Sequence, residues 1–223
     1  MISSVIKLWG KYSGVYISGL YGTLWLSAVT VAFATILGTL IAFVKLSRFK
    51  PGQWLVNLYI EIIRGTPALL QIYFFWIFLP KAMPFELSDT QCIVVALIIN
   101  SSAYVAEVIR AGIEAVDKGQ TEAALSLGLS RKNTMMKVVL PQAIKNILPA
   151  LGNEFITMIK ETSLASVFFI AELTTSYKTV QAATFLAIPS LLISGLIYLT
   201  LTFLLTRLLA ICEKRMRSND RNS

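Results

Sequence analysis

Histidine is absent from this 223-residue chain, and cysteine occurs only at Cys92 and Cys212. Without histidine, the commonest metal ligand and the commonest general base are missing. The two thiols lie far apart, in or beside apolar runs, and show no metal or redox spacing. They read as ordinary buried or lipid-facing cysteines, and no metal site is expected. Charge is scarce as well. Charged residues make up 14% of the chain and hydrophobic residues 56%, where soluble domains average about 25% and about 45–50%. Acids are scarcer than bases, 12 against 20, for a net charge of +8.

What is present is a series of long apolar runs. A helix crosses a bilayer core with about 20 residues, and five runs meet that length: 20–44, 54–79, 90–109, 147–169 and 185–210. A β-barrel would show alternating segments of about 10 residues instead. The composition therefore predicts an all-α, polytopic membrane protein, a single domain over 1–223 with five transmembrane helices. Lys7 and Lys11 precede an apolar stretch, as in a signal peptide. The uncharged run that follows, 12–44, is too long for an h-region of about 7–15 residues, so it reads as a retained first span.

Basic residues alternate between loops. Lys45, Arg48 and Lys50 fill the first, and only Lys81 lies in the second. Arg110, Lys118, Arg131, Lys132, Lys137 and Lys145 fill the third, only Lys178 lies in the fourth, and Arg207, Lys214, Arg215, Arg217 and Arg221 fill the tail. The positive-inside rule puts the rich loops and the C-terminus in the cytoplasm and the N-terminus outside, with Lys7 and Lys11 arguing weakly against. The net charge then needs no nucleic acid, because the cytoplasmic face meets anionic lipid.

Polar groups interrupt three spans. EIIRGTPALLQ (61–71) carries Gly65 and Pro67, which break a helix. A break at membrane depth is tolerated only inside protein or along a wet cavity. NSSAYVAEVIR (100–110) and NEFITMIKETSLAS (153–166) add Asn100, Ser101, Ser102, Glu154, Lys160, Glu161 and Ser163. At about 1.5 Å per residue, the groups 64–67, 100–102 and 154–161 fall close to one level near the midplane. Charges there cost at least about 2.5–3.5 kcal/mol each on insertion scales, so they need partners or water. Glu61 and Arg64, one turn apart, could simply pair with each other, and Ser101, Ser102 and Ala103 could serve close packing alone. A coordinated level reads instead as a substrate pathway or gate.

The longest polar interruption is EAALSLGLSRKNTMMKVVLPQAI (122–144). Apolar spacing predicts a helix over 120–127 closed by Gly128. Ser130 would cap a second helix running to Leu140, with Pro141 and Pro149 marking entry to the fourth span. Arg131 and Lys132 fall in a first turn where the macrodipole disfavours cations. The spacing alone leaves this loop open between a docking element and an interfacial helix.

Glu122-Ala123-Ala124, three residues, Gly128, nine residues, Val138, one residue, Leu140-Pro141 resembles the EAA loop of ABC importer membrane subunits, with Val138 where the family usually has isoleucine. RGTPALLQ (64–71), AYVAEVIRAGI (103–113) and KETSLAS (160–166) resemble the permeases of the polar amino acid uptake family, and the likeness runs from about residue 19 to about residue 211. It implies a type I ABC importer permease in the bacterial plasma (inner) membrane. The implied partners are a second permease subunit, identical or homologous, two ATP-binding cassette subunits beneath it, and an extracytoplasmic substrate-binding protein. The chain would bind no cofactor and be no enzyme. ATP and Mg would sit on the partner ATPase, in keeping with the absence here of a GxxxxGK[ST] run. The resemblance makes 117–141 the coupling loop, with Glu122, Ala123, Ala124, Leu127, Gly128 and Arg131 at the ATPase. Arg64, Thr66, Asn100, Ser101, Ser102, Glu154, Lys160, Glu161 and Ser163 are the pathway candidates. An ion-coupled secondary transporter would show repeats, and none is found. A scaffold or sensor would leave the breaks in the second and fourth spans unexplained.

Overall fold

The computed structural model describes residues 1–219, with side chains as far as Met216. Every described element is helical. The Arg217 side chain and Arg221, both counted above for orientation, lie outside the described residues.

Helix α1 (Ile2–Leu46) starts well before the expected first span. Its buried face is a stripe of small or polar residues, including Gly19, Thr23, Ser27, Thr30, Ala34, Gly38 and Ala42. Where helices have no hydrophobic force between them, such stripes let backbones approach closely. A Cβ on Gly38 would stand 2.8 Å from the Ser102 carbonyl oxygen, and one on Gly22 2.0 Å from that of Ala171. The stripe thus seats α1 against the middle of the molecule at two heights.

The expected second span is two helices, α2 (Lys50–Gly65) and α3 (Ala68–Ala82), bent by 111°. Thr66 is extended, with φ −121° and ψ 149°, as the residue before a proline prefers. Pro67 offers no N–H to the carbonyl of Ile63, so the helix cannot continue through it. The break falls where the sequence puts it. The bend is far larger than a kink.

Helix α4 (Asp89–Glu114) opens on a capping box. Ser88 accepts from the Gln91 amide, and the Gln91 side chain accepts from that of Ser88. Helices α5 (Lys118–Ser126) and α6 (Arg131–Thr134) follow. The second loop helix does not stop at Leu140 as expected. It widens into a π turn (Met135–Val139) and runs on as α7 (Leu140–Glu161). Leu140 N–H bonds the Met135 carbonyl, five residues back. That wider turn carries the chain past Pro141, which has no N–H of its own to give. The Gln142 side chain donates to the Val138 carbonyl at 2.9 Å.

The fourth span was expected to reach residue 169. Instead α7 ends at Glu161 and a 3-10 segment (Thr162–Phe168) takes over. Helix α8 (Leu173–Thr184) then stands where a loop was expected, and α9 (Ala187–Asn219) forms the last span. Helix α8 is anchored by Glu172, which is fully buried. Its carboxylate accepts from the amides of Thr174 (2.7 Å) and Thr175 (2.5 Å) and from the Tyr198 hydroxyl of α9 (2.9 Å). A buried carboxylate is tolerated when its lone pairs are filled in this way.

Among the described residues α1, α4 and α9 are each long and apolar enough to cross a membrane, and the bent α2–α3 pair would make a fourth crossing. Helix α7 is not among them. It carries Glu154, Lys160 and Glu161, and its buried residues include Ile147, Ile156, Met158 and Ile159.

Candidate functional site

The bend between α2 and α3 strands backbone carbonyls, and one side chain collects them. Gln71, in the first turn of α3, is buried. Its amide nitrogen lies 2.7 Å from Ile63 O, 3.1 Å from Thr66 O and 2.8 Å from Thr66 Oγ1. The Ile63 carbonyl is the one Pro67 leaves without a donor, and Gln71 supplies it. On its other side Gln71 Oε1 accepts from Asn100 Nδ2 at 2.9 Å. The elbow is thereby pinned to the middle of α4.

The next residue of α4 faces another helix. Ser101, fully buried, donates to Glu154 Oε1 of α7 at 2.8 Å. Ser102 shares a 2.7 Å hydrogen bond with the Tyr59 hydroxyl of α2, which also donates to the Ile99 carbonyl. Asn100, Ser101 and Ser102 thus bring α3, α7 and α2 to one place on α4. Of the candidates read from the sequence, Thr66, Asn100, Ser101, Ser102 and Glu154 are brought together.

Arg64 is directed elsewhere. Its guanidinium lies 3.7 Å from Glu107 Oε2 and over the Tyr104 ring, 5.5 Å from the centroid. No ion pair joins it to Glu61 among the described residues. Glu107 is seven residues along α4 from Asn100, about 10 Å nearer the C-terminal end of the helix. The expectation that Arg64 shares the level of Asn100 is therefore corrected for its charge. Glu107 also pairs with Lys45 of α1 at 2.5 Å and with Arg110 at 2.9 Å, and Arg110 pairs in turn with Glu114. This partly buried carboxylate ties the ends of α1 and α2 to α4. The sequence reading missed it, although its spacing of three from Arg110 was a visible signal. Gln71 was missed too, four residues after Pro67 in the RGTPALLQ run.

Lys160, Glu161 and Ser163 lie in the last turn of α7 and the start of the 3-10 segment. Lys160 is exposed and the other two are half-buried. None of them enters an ion pair among the described residues. Glu161 stands two turns from Glu154 on the same side of α7, close enough for its charge to act on it.

The helical loop is built by local rules. Asp117 caps α5, accepting from Gly119 N at 2.7 Å. Gly128, at φ +84°, closes it in a Schellman turn. Leu129 N bonds Ala124 O at 3.1 Å and Gly128 N bonds Leu125 O at 3.0 Å. Ser130 caps α6. Ala124 is buried, whereas Glu122, Ala123, Gly128 and Arg131 are exposed and Leu127 is 84% exposed.

The family described as "Binding-protein-dependent transport system inner membrane component" matches residues 34–218. The chain is 40% identical over 204 residues to the arginine transport system permease protein ArtQ of Bacillus subtilis (strain 168), covering 92% of this chain and 93% of that one. It is 38% identical over 205 residues to the probable glutamine ABC transporter permease protein GlnM of the same organism, covering 92% and 94%. A crystal structure of an amino acid ABC transporter with histidines superposes with a TM-score of 0.88 at 44% identity, over 92% of this chain and 95% of that one. This chain belongs to the family of inner membrane components of binding-protein-dependent transport systems.

Proposed function

We propose that this chain is the membrane permease subunit of an ATP-driven importer of a polar amino acid. The observation that carries the reading is the polar cluster Gln71–Asn100 and Ser101–Glu154, which joins three helices inside an otherwise apolar bundle of this family. Ser101 holds one oxygen of the Glu154 carboxylate, and no ion pair offsets its charge among the described residues; a charge so placed is costly, which supports a ligand that repays it. Arginine and glutamine, named for the relatives, are the first substrates to test.

In this reading the crossings number five: α1, α2–α3, α4, α7 and α9. Helix α7 crosses despite its charges because its polar groups face protein or pathway. The pathway runs past Thr66, Asn100, Ser101, Ser102, Glu154, Lys160, Glu161 and Ser163, and Arg64 guards its inner end beside Glu107. A carboxylate of the substrate meets Arg64, Lys160 or the backbone of the elbow, and its ammonium meets Glu154 or Glu161. A second permease, identical or homologous, completes the pathway. Two ATP-binding cassette subunits carrying ATP and Mg receive the loop through Glu122, Leu127, Gly128 and Arg131, and an extracytoplasmic protein delivers the substrate.

The test is reconstitution of the permease with its ATPase and binding protein in proteoliposomes. ATP-dependent accumulation of labelled arginine or glutamine, with hydrolysis stimulated by the loaded binding protein, is expected. Accumulation driven by an ion gradient without ATP would overturn the reading.

The orientation, with the C-terminus in the cytoplasm, is tested at Cys212, which is exposed toward the end of α9, whereas Cys92 is buried. A membrane-impermeant maleimide is expected to label Cys212 in inverted vesicles and to leave it unlabelled in intact spheroplasts. The opposite pattern would reverse the assigned topology.

A further inference from the structure

Gln71 has a second consequence beyond closing the elbow. Its amide nitrogen faces the Ile63 and Thr66 carbonyl oxygens and Thr66 Oγ1, whose own hydrogen goes to the Ile62 carbonyl. An oxygen in that place would meet only acceptors, so the orientation of the Gln71 amide is determined. Its Oε1 must then face Asn100, and Asn100 must answer with Nδ2. Asn100 Oδ1 is consequently turned the other way, as an acceptor with no protein donor among the described residues. It lies one residue from Ser101, whose hydroxyl is held by Glu154.

We propose that Gln71 is a positioning residue for substrate binding: the proline-broken elbow sets the Gln71 amide, and Gln71 sets the Asn100 amide so that its Oδ1 accepts from a donor group of the substrate. This rests on Asn100 lying in the pathway. The elbow of α2–α3 and the polar cluster on α4 are then one unit. Pro67 frees the Ile63 carbonyl, and the side chain that answers it is the side chain that orients the neighbouring helix.

The experiment uses the whole reconstituted importer, with labelled arginine and glutamine as probes, and measures the half-saturating concentration and the maximal rate separately. Gln71→Met keeps length and volume but neither donates nor accepts in these bonds. It is expected to raise the half-saturating concentration roughly fivefold, the factor one neutral hydrogen bond is worth, with maximal rate and complex yield retained. Gln71→Met combined with Asn100→Ala is expected to be no worse than Asn100→Ala alone, because both act through one group. A lower yield or maximal rate with unchanged half-saturation would make Gln71 a structural clamp only and overturn the inference, as would additive effects in the double variant. If Gln71→Met does not assemble, Gln71→Asn decides, since its shorter side chain keeps a donor for the elbow carbonyls but withdraws its oxygen from Asn100. A raised half-saturating concentration in the assembled complex supports the inference, and one close to wild type overturns it. If Asn100→Ala itself leaves half-saturation unchanged, the pathway reading of Asn100 falls and this inference with it. If Asn100→Ala raises it and Gln71→Met does not, only this inference falls.

Discussion

Replacing Glu154 by glutamine is expected to leave the complex assembled and to reduce amino acid uptake by about two orders of magnitude. The substitution is nearly isosteric, and the glutamine oxygen can still accept from Ser101, so the contact between α4 and α7 survives. What disappears is the charge. A charge-assisted hydrogen bond to a substrate ammonium is worth up to about 3 kcal/mol in a desolvated site, which corresponds to roughly 150-fold. Glu161, two turns along, is the alternative carboxylate, and Glu161→Gln should be measured beside it. Uptake is read in proteoliposomes and assembly by size-exclusion chromatography of the purified complex. Wild-type uptake in both variants would remove these carboxylates from the pathway.

The second large effect is expected in the helical loop. Gly128 holds φ +84°, a conformation that costs an L-residue roughly 1–2 kcal/mol and a β-branched one more. Gly128→Val should open the Schellman turn, rotating Leu127 and the exposed face of α5 relative to α6. Nothing lies within 4 Å of a Cβ built at Gly128, so the change acts through backbone conformation and not through a clash. Hydrolysis by the complex should then no longer respond to loaded binding protein, and transport should be lost. Gly128→Asn, which tolerates positive φ, should retain most of the response. Normal substrate-stimulated hydrolysis in Gly128→Val would detach this turn from coupling.

Much of this was legible residue by residue. Gly128 and Ser130 announce a helix end and a helix start, and the turn is built as they indicate, because capping depends on the few residues around it. Gly65 and Pro67 announce a break for the same reason. The size of the bend was not legible: a missing N–H says where a helix must stop, not which way the chain leaves. Helix α8 was read as loop because LTTSYKTVQAAT is too polar for a span. Its stability comes from Glu172 at its own N-cap and from Tyr198 and the glycine-lined face of α1, the last two distant in sequence. Arg64 offered Glu61 as a neighbour at helical spacing, yet it meets Glu107, 43 residues on.

The sequence by itself determined the class of protein, the position of the elbow, the construction of the loop and the family likeness. Each rests on hydropathy, on proline and glycine chemistry, or on fixed spacing, which act locally. Only the tertiary structure decided which polar groups meet. Asn100 found Gln71, Ser101 found Glu154 and Glu107 gathered Lys45 and Arg64 because of how the helices cross. Those crossings are set by the small-residue stripe of α1 and the bend at Thr66–Pro67, and a pairing between helices has no period along the chain from which it could be read.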